Sequence, residues 1–268
     1  MMRFFKCGLP ALAAALLVSG CVTTQSAVDD SLAPVRPLAD QTPSSDAESR
    51  AKVHTELGEE YLGSARYGVA LDEAKAALQS QGDYALAFLL QAKVYMYLGD
   101  NVLARDNFEH AVSIAPRDPD INNAYGWFLC SQGQEREGLA HLALAMRNPY
   151  YGTPTRPYAN AGLCYLRLKD EQNARASFAK ALEADPNNHL ALFQLADIAY
   201  RERQYDVADR YLNALHQTTD PNAESAWLGL RIARKLGKRD EEASYVAQLQ
   251  QRFPNSPEAK KMHEGKFE

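Results

Sequence analysis

The stretch "ALAFLLQAKVYMYLGDNVLARDNFEHAVSIAP", residues Ala85 to Pro116, decides the fold. Two small residues in it, Ala92 and Ala104, stand twelve apart. Phe108 and Ala111 follow the second at +4 and +7, Tyr95 precedes it by nine, and Pro116 closes the stretch. The arrangement recurs along the chain. Aligned on the second small residue, it gives Ala70, Ala104, Gly138, Ala174, Ala208 and Ala243, at intervals of 34, 34, 36, 34 and 35. The +4 places hold Ala74, Phe108, Leu142, Phe178, Leu212 and Ala247; the +7 places hold Ala77, Ala111, Ala145, Ala181, Leu215 and Gln250. Twelve residues upstream stand Gly58, Ala92, Gly126, Gly162, Ala196 and Arg231. A fixed period near 34 residues signals stacked helical hairpins. Small residues where two helices cross let the backbones approach, and the larger ones after them pack against the next hairpin. Proline ends the second helix because it has no amide proton to continue it. The abundance of alanine and leucine likewise favours helix over sheet.

This pattern resembles the tetratricopeptide repeat, with its small residue at place 8, tyrosine at 11, alanine at 20, aromatic at 24, alanine at 27 and proline at 32. The resemblance implies an all-α fold, a right-handed superhelical solenoid of six tetratricopeptide (TPR) repeats over residues 51–257. Units 1, 2, 4 and 5 match well. Unit 3 has Gly138 in the alanine place, and unit 6 has Arg231 and Gln250 where apolar residues are expected, which reads as a water-facing cap. The two extra residues between units 3 and 4 fall in "NPYYGTPTRPY", Asn148 to Tyr158, a proline-rich loop. Residues 258–268 are charged and read as a frayed end or a short capping turn.

The first residues bear on compartment. Arg3 and Lys6 precede the apolar run "LPALAAALLV", Leu9 to Val18, which is too short to span a bilayer and ends in "LVSGC". This resembles the bacterial lipobox. Residues 1–20 are then a lipoprotein signal peptide and Cys21 the acylated residue, its thiol supplying the nucleophile. An ordinary cleaved signal with a chance cysteine is the alternative. Val22 follows in place of the aspartate that retains enterobacterial lipoproteins in the inner membrane. The resemblance therefore implies the outer membrane, with the domain facing the periplasm and lipid held through Cys21. Residues 21–50, with Pro34, Pro37 and Pro43 and no amphipathic period, read as a tether reaching on the order of 30 Å.

Net charge is −5, and because the first 20 residues carry two cations and no acid, the remainder is more acidic still. That argues against a nucleic-acid partner, and with the lipobox against the RNA-reading pentatricopeptide repeats of similar period. The motifs Gly-x-Ser-x-Gly, His-Glu-x-x-His and Gly-Lys-Ser/Thr are missing, and the six histidines are scattered without ligand spacing. No catalytic residue, metal ligand, cofactor or small-molecule substrate is expected.

A repeat scaffold offers a concave surface lined by its first helices, at places 2, 5, 9, 12 and 13. These places supply Leu62 in unit 1; Leu86, Leu89, Lys93, Met96 and Tyr97 in unit 2; and Trp127 in unit 3. Unit 4 adds Leu163 and Leu166, and unit 5 adds Phe193 and Tyr200. So many large apolar groups suit an extended or helical apolar segment of a partner protein. The same pattern would arise if they filled the superhelix interior. Cys130 and Cys164 fall on adjacent first helices, whose axes lie about 8–10 Å apart. Facing cysteines there reach disulfide geometry in an oxidising compartment; two free buried thiols are the alternative.

Lipobox, tether, six repeats and "YGWFLC…NPYY…NAGLCYL" together resemble the PilF/PilW family of type IV pilus biogenesis and stability lipoproteins. The resemblance implies a pilotin that binds type IV pilus secretin subunits, brings them to the outer membrane and promotes their multimerisation. It also implies a disulfide between Cys130 and Cys164. A lipoprotein adaptor for periplasmic peptidoglycan hydrolases or proteases is the second expectation from the same features.

Overall fold

In the computed structural model, residues 34–152 and 154–267 are described. The expected signal peptide, Cys21 and the first part of the expected tether lie outside them. The described residues form thirteen α-helices and no strand. Twelve pair into antiparallel hairpins: α1 (Asp46–Gly63) with α2 (Tyr67–Ser80), α3 (Ala85–Leu98) with α4 (Asn101–Ile114), and α5 (Pro119–Ser131) with α6 (Glu135–Met146). The series continues with α7 (Thr155–Arg167) and α8 (Glu171–Ala184), α9 (His189–Arg201) and α10 (Tyr205–Thr218), and α11 (Ala223–Leu236) and α12 (Arg239–Arg252). Helix α13, Pro257–His263, follows. This is the expected all-α solenoid of six tetratricopeptide hairpins.

The turn inside each hairpin holds one residue in the left-handed region: Ala65, Gly99, Gly133, Lys169, Arg203 and Gly237, with φ from 55° to 82°. A left-handed residue after the first helix turns the chain sharply back while satisfying the last carbonyls. Arg66 N donates to Tyr61 O, Asp100 N to Tyr95 O and Lys238 N to Ala233 O, each five residues back. The six residues are spaced 34, 34, 36, 34 and 34 apart.

That spacing corrects the alignment of unit 6 by one residue. Its places 8, 20, 24 and 27 are Leu230, Glu242, Val246 and Leu249, not Arg231, Ala243, Ala247 and Gln250. Leu230 and Leu249 are fully buried and Val246 packs against them, whereas Ala243 and Gln250 are exposed. A glutamate in the small-residue place drew the alignment to the neighbouring alanine. Glu242 accepts a hydrogen bond from Arg234 Nε at 2.8 Å instead of packing at a crossing. The close approach of α11 and α12 falls at Gly229, where a Cβ would run into the Tyr245 ring.

Elsewhere the small residues sit where the period puts them. Ala70, Ala104, Ala174 and Ala208 are fully buried. In unit 3 two glycines face each other: a Cβ on Gly126 would lie 2.7 Å from Gly138 O, and one on Gly138 would lie 2.5 Å from Gly126 O. The Cys130 sulfur takes the remaining space, 2.5 Å from that same absent Cβ. Gly138 stands in the alanine place because the Gly126 carbonyl and the Cys130 sulfur leave no room for a Cβ.

Helix starts follow local chemistry. Ser45 accepts from Glu48 N at 3.1 Å while Glu48 reaches back to Ser44, a pairing that starts α1 at Asp46, inside the stretch expected as tether. Asp100, Asp118, Asp170, Asn188, Asn222 and Ser256 cap α4, α5, α8, α9, α11 and α13. The tail forms a cap: Ala259 and Met262 of α13 are buried against Trp227, Leu230 and Leu249. Phe267 stacks on Trp227 at 5.5 Å under the Arg234 guanidinium.

Upstream of α1 the chain also departs from a tether. Pro37 is buried, Leu38–Asp40 form a 3-10 turn, and Leu38 packs against the core of units 1–3.

Candidate groove on the first helices

The first helices α1, α3, α5 and α7 lie side by side, so residues one repeat apart meet on their shared face. Glu59 and Lys93, both at place 9, form an ion pair at 2.8 Å. Between units 3 and 4, Asn160 Nδ2 donates to Asn123 Oδ1 at 2.9 Å. These rungs tie unit 1 to unit 2 and unit 3 to unit 4 along the groove floor.

Two adjoining concavities open over this floor. One, about 480 Å³, is lined by Leu62, Tyr67, Met96, Tyr97 and Trp127 with Lys93, Asn123 and Arg156. The other, about 260 Å³, is lined by Leu86, Leu89 and Lys93 with Lys52, Glu59, Asp120 and Arg156. Lys93 and Arg156 border both. The wall is aromatic and aliphatic and the floor is mixed in charge, which suits an extended segment with apolar side chains and an exposed main chain to pair. Tyr97 is 62% exposed and stacks on Tyr67 at 6.1 Å, forming a lip.

Of the eleven groove residues expected from the repeat frame, Leu62, Leu86, Leu89, Lys93, Met96, Tyr97 and Trp127 are brought together here. Leu163 and Leu166 pack against the core of unit 4, and Phe193 and Tyr200 against that of unit 5. Arg231 lies over the Tyr200 ring at 4.6 Å, covering it. The two adjoining concavities over units 1–3 thus gather seven of the eleven, and Phe193 lines a separate concavity with Leu190 and Leu215. Tyr67 and Asn160 were not expected: one opens a second helix, the other sits at place 6. Neither place is marked as groove-facing by the repeat pattern.

Burial sets the electrostatics. Asp120, in the smaller concavity, has its carboxyl raised above the usual range by desolvation, opposed by a hydrogen bond with Tyr151 and by Lys93 and Arg156. Asp118 is raised by burial against three backbone hydrogen bonds, with Leu38, Ile121 and Asp120, that favour its ionised form. Among the described residues no group of His, Cys, Asp or Glu is arranged to hold a metal ion, and no helix is long and apolar enough to cross a membrane.

Behind the groove wall, Cys130 and Cys164 form a disulfide with Cα atoms 5.5 Å apart. Both residues are fully buried, and Trp127, Leu139 and Met146 pack against them. The bond links α5 to α7 and backs Trp127, so it fixes the wall as well as the repeat stack.

The tetratricopeptide repeat family model matches residues 55–220. The type IV pilus assembly protein PilF of Pseudomonas aeruginosa is 30% identical over 205 residues, covering 76% of this chain and 81% of PilF. Among solved structures, PilW, described as a widely conserved type IV pilus biogenesis factor, aligns with TM-score 0.72 at 33% identity, over 79% of this chain and 97% of PilW. Pseudomonas aeruginosa pilF aligns with TM-score 0.76 at 28% identity, over 82% of this chain and all of its own length.

Proposed function

Because this chain belongs to the tetratricopeptide repeat family, and within it to the PilF and PilW proteins of type IV pilus biogenesis, we propose that it is the pilotin of a type IV pilus secretin. The observation that carries the reading is the similarity to PilF along four-fifths of that protein's length. The groove of units 1–3 supplies the physics. A secretin subunit outside its multimer exposes apolar strand segments, and such segments aggregate unless covered. A groove with an aromatic wall and a paired polar floor covers one such segment and holds the subunit back from self-association.

In this reading Cys21 carries the lipid, and the anchor delivers the bound subunit to the outer membrane, where release permits multimerisation. The lipobox-like "LVSGC" ending at Cys21 supports the anchor, and Val22 supports the outer membrane. Replacing Cys21 with serine should leave the secretin unassembled or in the wrong membrane, read as loss of heat-stable multimers from the outer-membrane fraction. Multimers at the normal level in that fraction would contradict the reading.

A further inference from the structure

Pro37 and Leu38 are held against the mouth of the groove by contacts of an unusual kind. Asp118 Oδ2 accepts from Leu38 N at 2.7 Å, and Asn148 Nδ2 donates to Val35 O at 2.8 Å. Lys52 Nζ donates to Ala39 O at 2.7 Å and to Gln41 O at 3.1 Å. All four hydrogen bonds go to main-chain atoms, so they hold the backbone of the segment and its 3-10 turn and not its side chains. Leu38 adds one aliphatic anchor.

Two features mark this seat as built for a short segment that turns at Leu38–Asp40. Asp118 caps α5 with Oδ1, accepting from Ile121 N at 2.9 Å, which leaves Oδ2 of a 1%-exposed carboxylate for the strap. The 36-residue step between units 3 and 4, the one long interval among the turns, places Asn148 and Tyr150 in the longer loop. Asn148 holds the strap's carbonyl, and the Tyr150 ring lies 5.5 Å from the Arg36 guanidinium. Ala39 forms part of the wall of the 260 Å³ concavity, so the strap narrows the groove it borders.

We infer that the seat of Val35–Gln41 is a peptide-binding site occupied in cis, and that a proline-containing segment of another chain, taking the same one-turn conformation with one aliphatic residue in the place of Leu38, exchanges with it. The contact consists of Pro37 and Leu38, the Arg36–Tyr150 pair and main-chain hydrogen bonds, few enough to open locally without unfolding the hairpins beneath. The identity of the incoming chain rests on the pilus reading above; the exchange does not.

The test uses the full chain and a fluorescent peptide of residues 34–43. The Leu38→Asp chain, its own strap loosened, should bind the peptide at least tenfold more tightly than the unaltered chain. Adding Asp118→Asn, which keeps an acceptor for Ile121 N but loses the one for Leu38 N, should abolish the gain. Equal binding by the two chains, or no binding by a Leu38→Asp chain that melts at the normal temperature, overturns the inference. Unfolding by Leu38→Asp overturns it too, because the strap is then part of the core. A parallel titration with the secretin separates the two readings: peptide exchange without any change in secretin binding upholds the seat and counts against the secretin as its partner.

Discussion

A single methyl group at Gly138 has nowhere to go, because the Gly126 carbonyl and the Cys130 sulfur both stand 2.5 Å from where it would be. One neighbour is backbone and the other is tied into a disulfide, so neither yields cheaply. Gly138→Ala should cost about 1–3 kcal/mol in denaturant unfolding, the range for overpacking a tight contact. The disulfide itself closes a loop between residues 34 apart in sequence. Its loss in Cys130→Ala/Cys164→Ala should cost about 3–4 kcal/mol on chain entropy. Unfolding midpoints that move by less than experimental error would show that the staple carries no stability. His141 and His216 have their protonation disfavoured by burial, with Nδ1 against Asn122 Oδ1 at 2.8 Å and Tyr245 OH at 3.1 Å respectively. Above pH 6.5 both states hold them neutral; as pH falls below 6.5 the unfolded chain takes up protons first, so stability is lost toward the lowered folded pKa. Melting at pH 7.5 and 5.5 should show a smaller acid-side loss for His216→Phe than for the unaltered chain.

At the scale of the helix pair, the left-handed turn is the feature that fixes register. In α12 it makes Leu249 a core residue and Ala243 a surface one. Leu249→Ala should cost about 2–5 kcal/mol, whereas Ala243→Glu should stay within about 0.5 kcal/mol. The reverse order would restore the 35-residue interval read from sequence. Period, helix class and crossing residues were legible because a buried crossing admits only small side chains and so leaves a mark at every turn of the repeat. Unit 6 was misaligned because Glu242 satisfies its place by an ion pair with Arg234, which leaves no such mark. The strap was illegible for a different reason: its hydrogen bonds use main-chain atoms, which every residue carries. Leu163, Leu166, Phe193 and Tyr200 were legible as apolar, but the split between groove and interior depends on what the next hairpin covers.

For the whole molecule, stability is close to a sum of hairpins and of contacts between neighbours. Ion pairs such as Arg167–Glu135 and Arg252–Asp220 join successive units, but as exposed pairs each adds little. The apolar contacts and the Cys130–Cys164 disulfide hold the stack, and the disulfide sits directly behind the groove. That placement ties unit 3, which carries Trp127, to unit 4, beside the groove of units 1–3 proposed to bind the partner segment. The most direct measurement is titration of purified secretin into the full chain and into a Tyr97→Asp variant, altered at the exposed lip of the groove. The account predicts saturable binding by the unaltered chain, weakened at least tenfold in the variant while its thermal midpoint moves by only a few degrees. Equal binding by both, or none by a correctly folded unaltered chain, would contradict it.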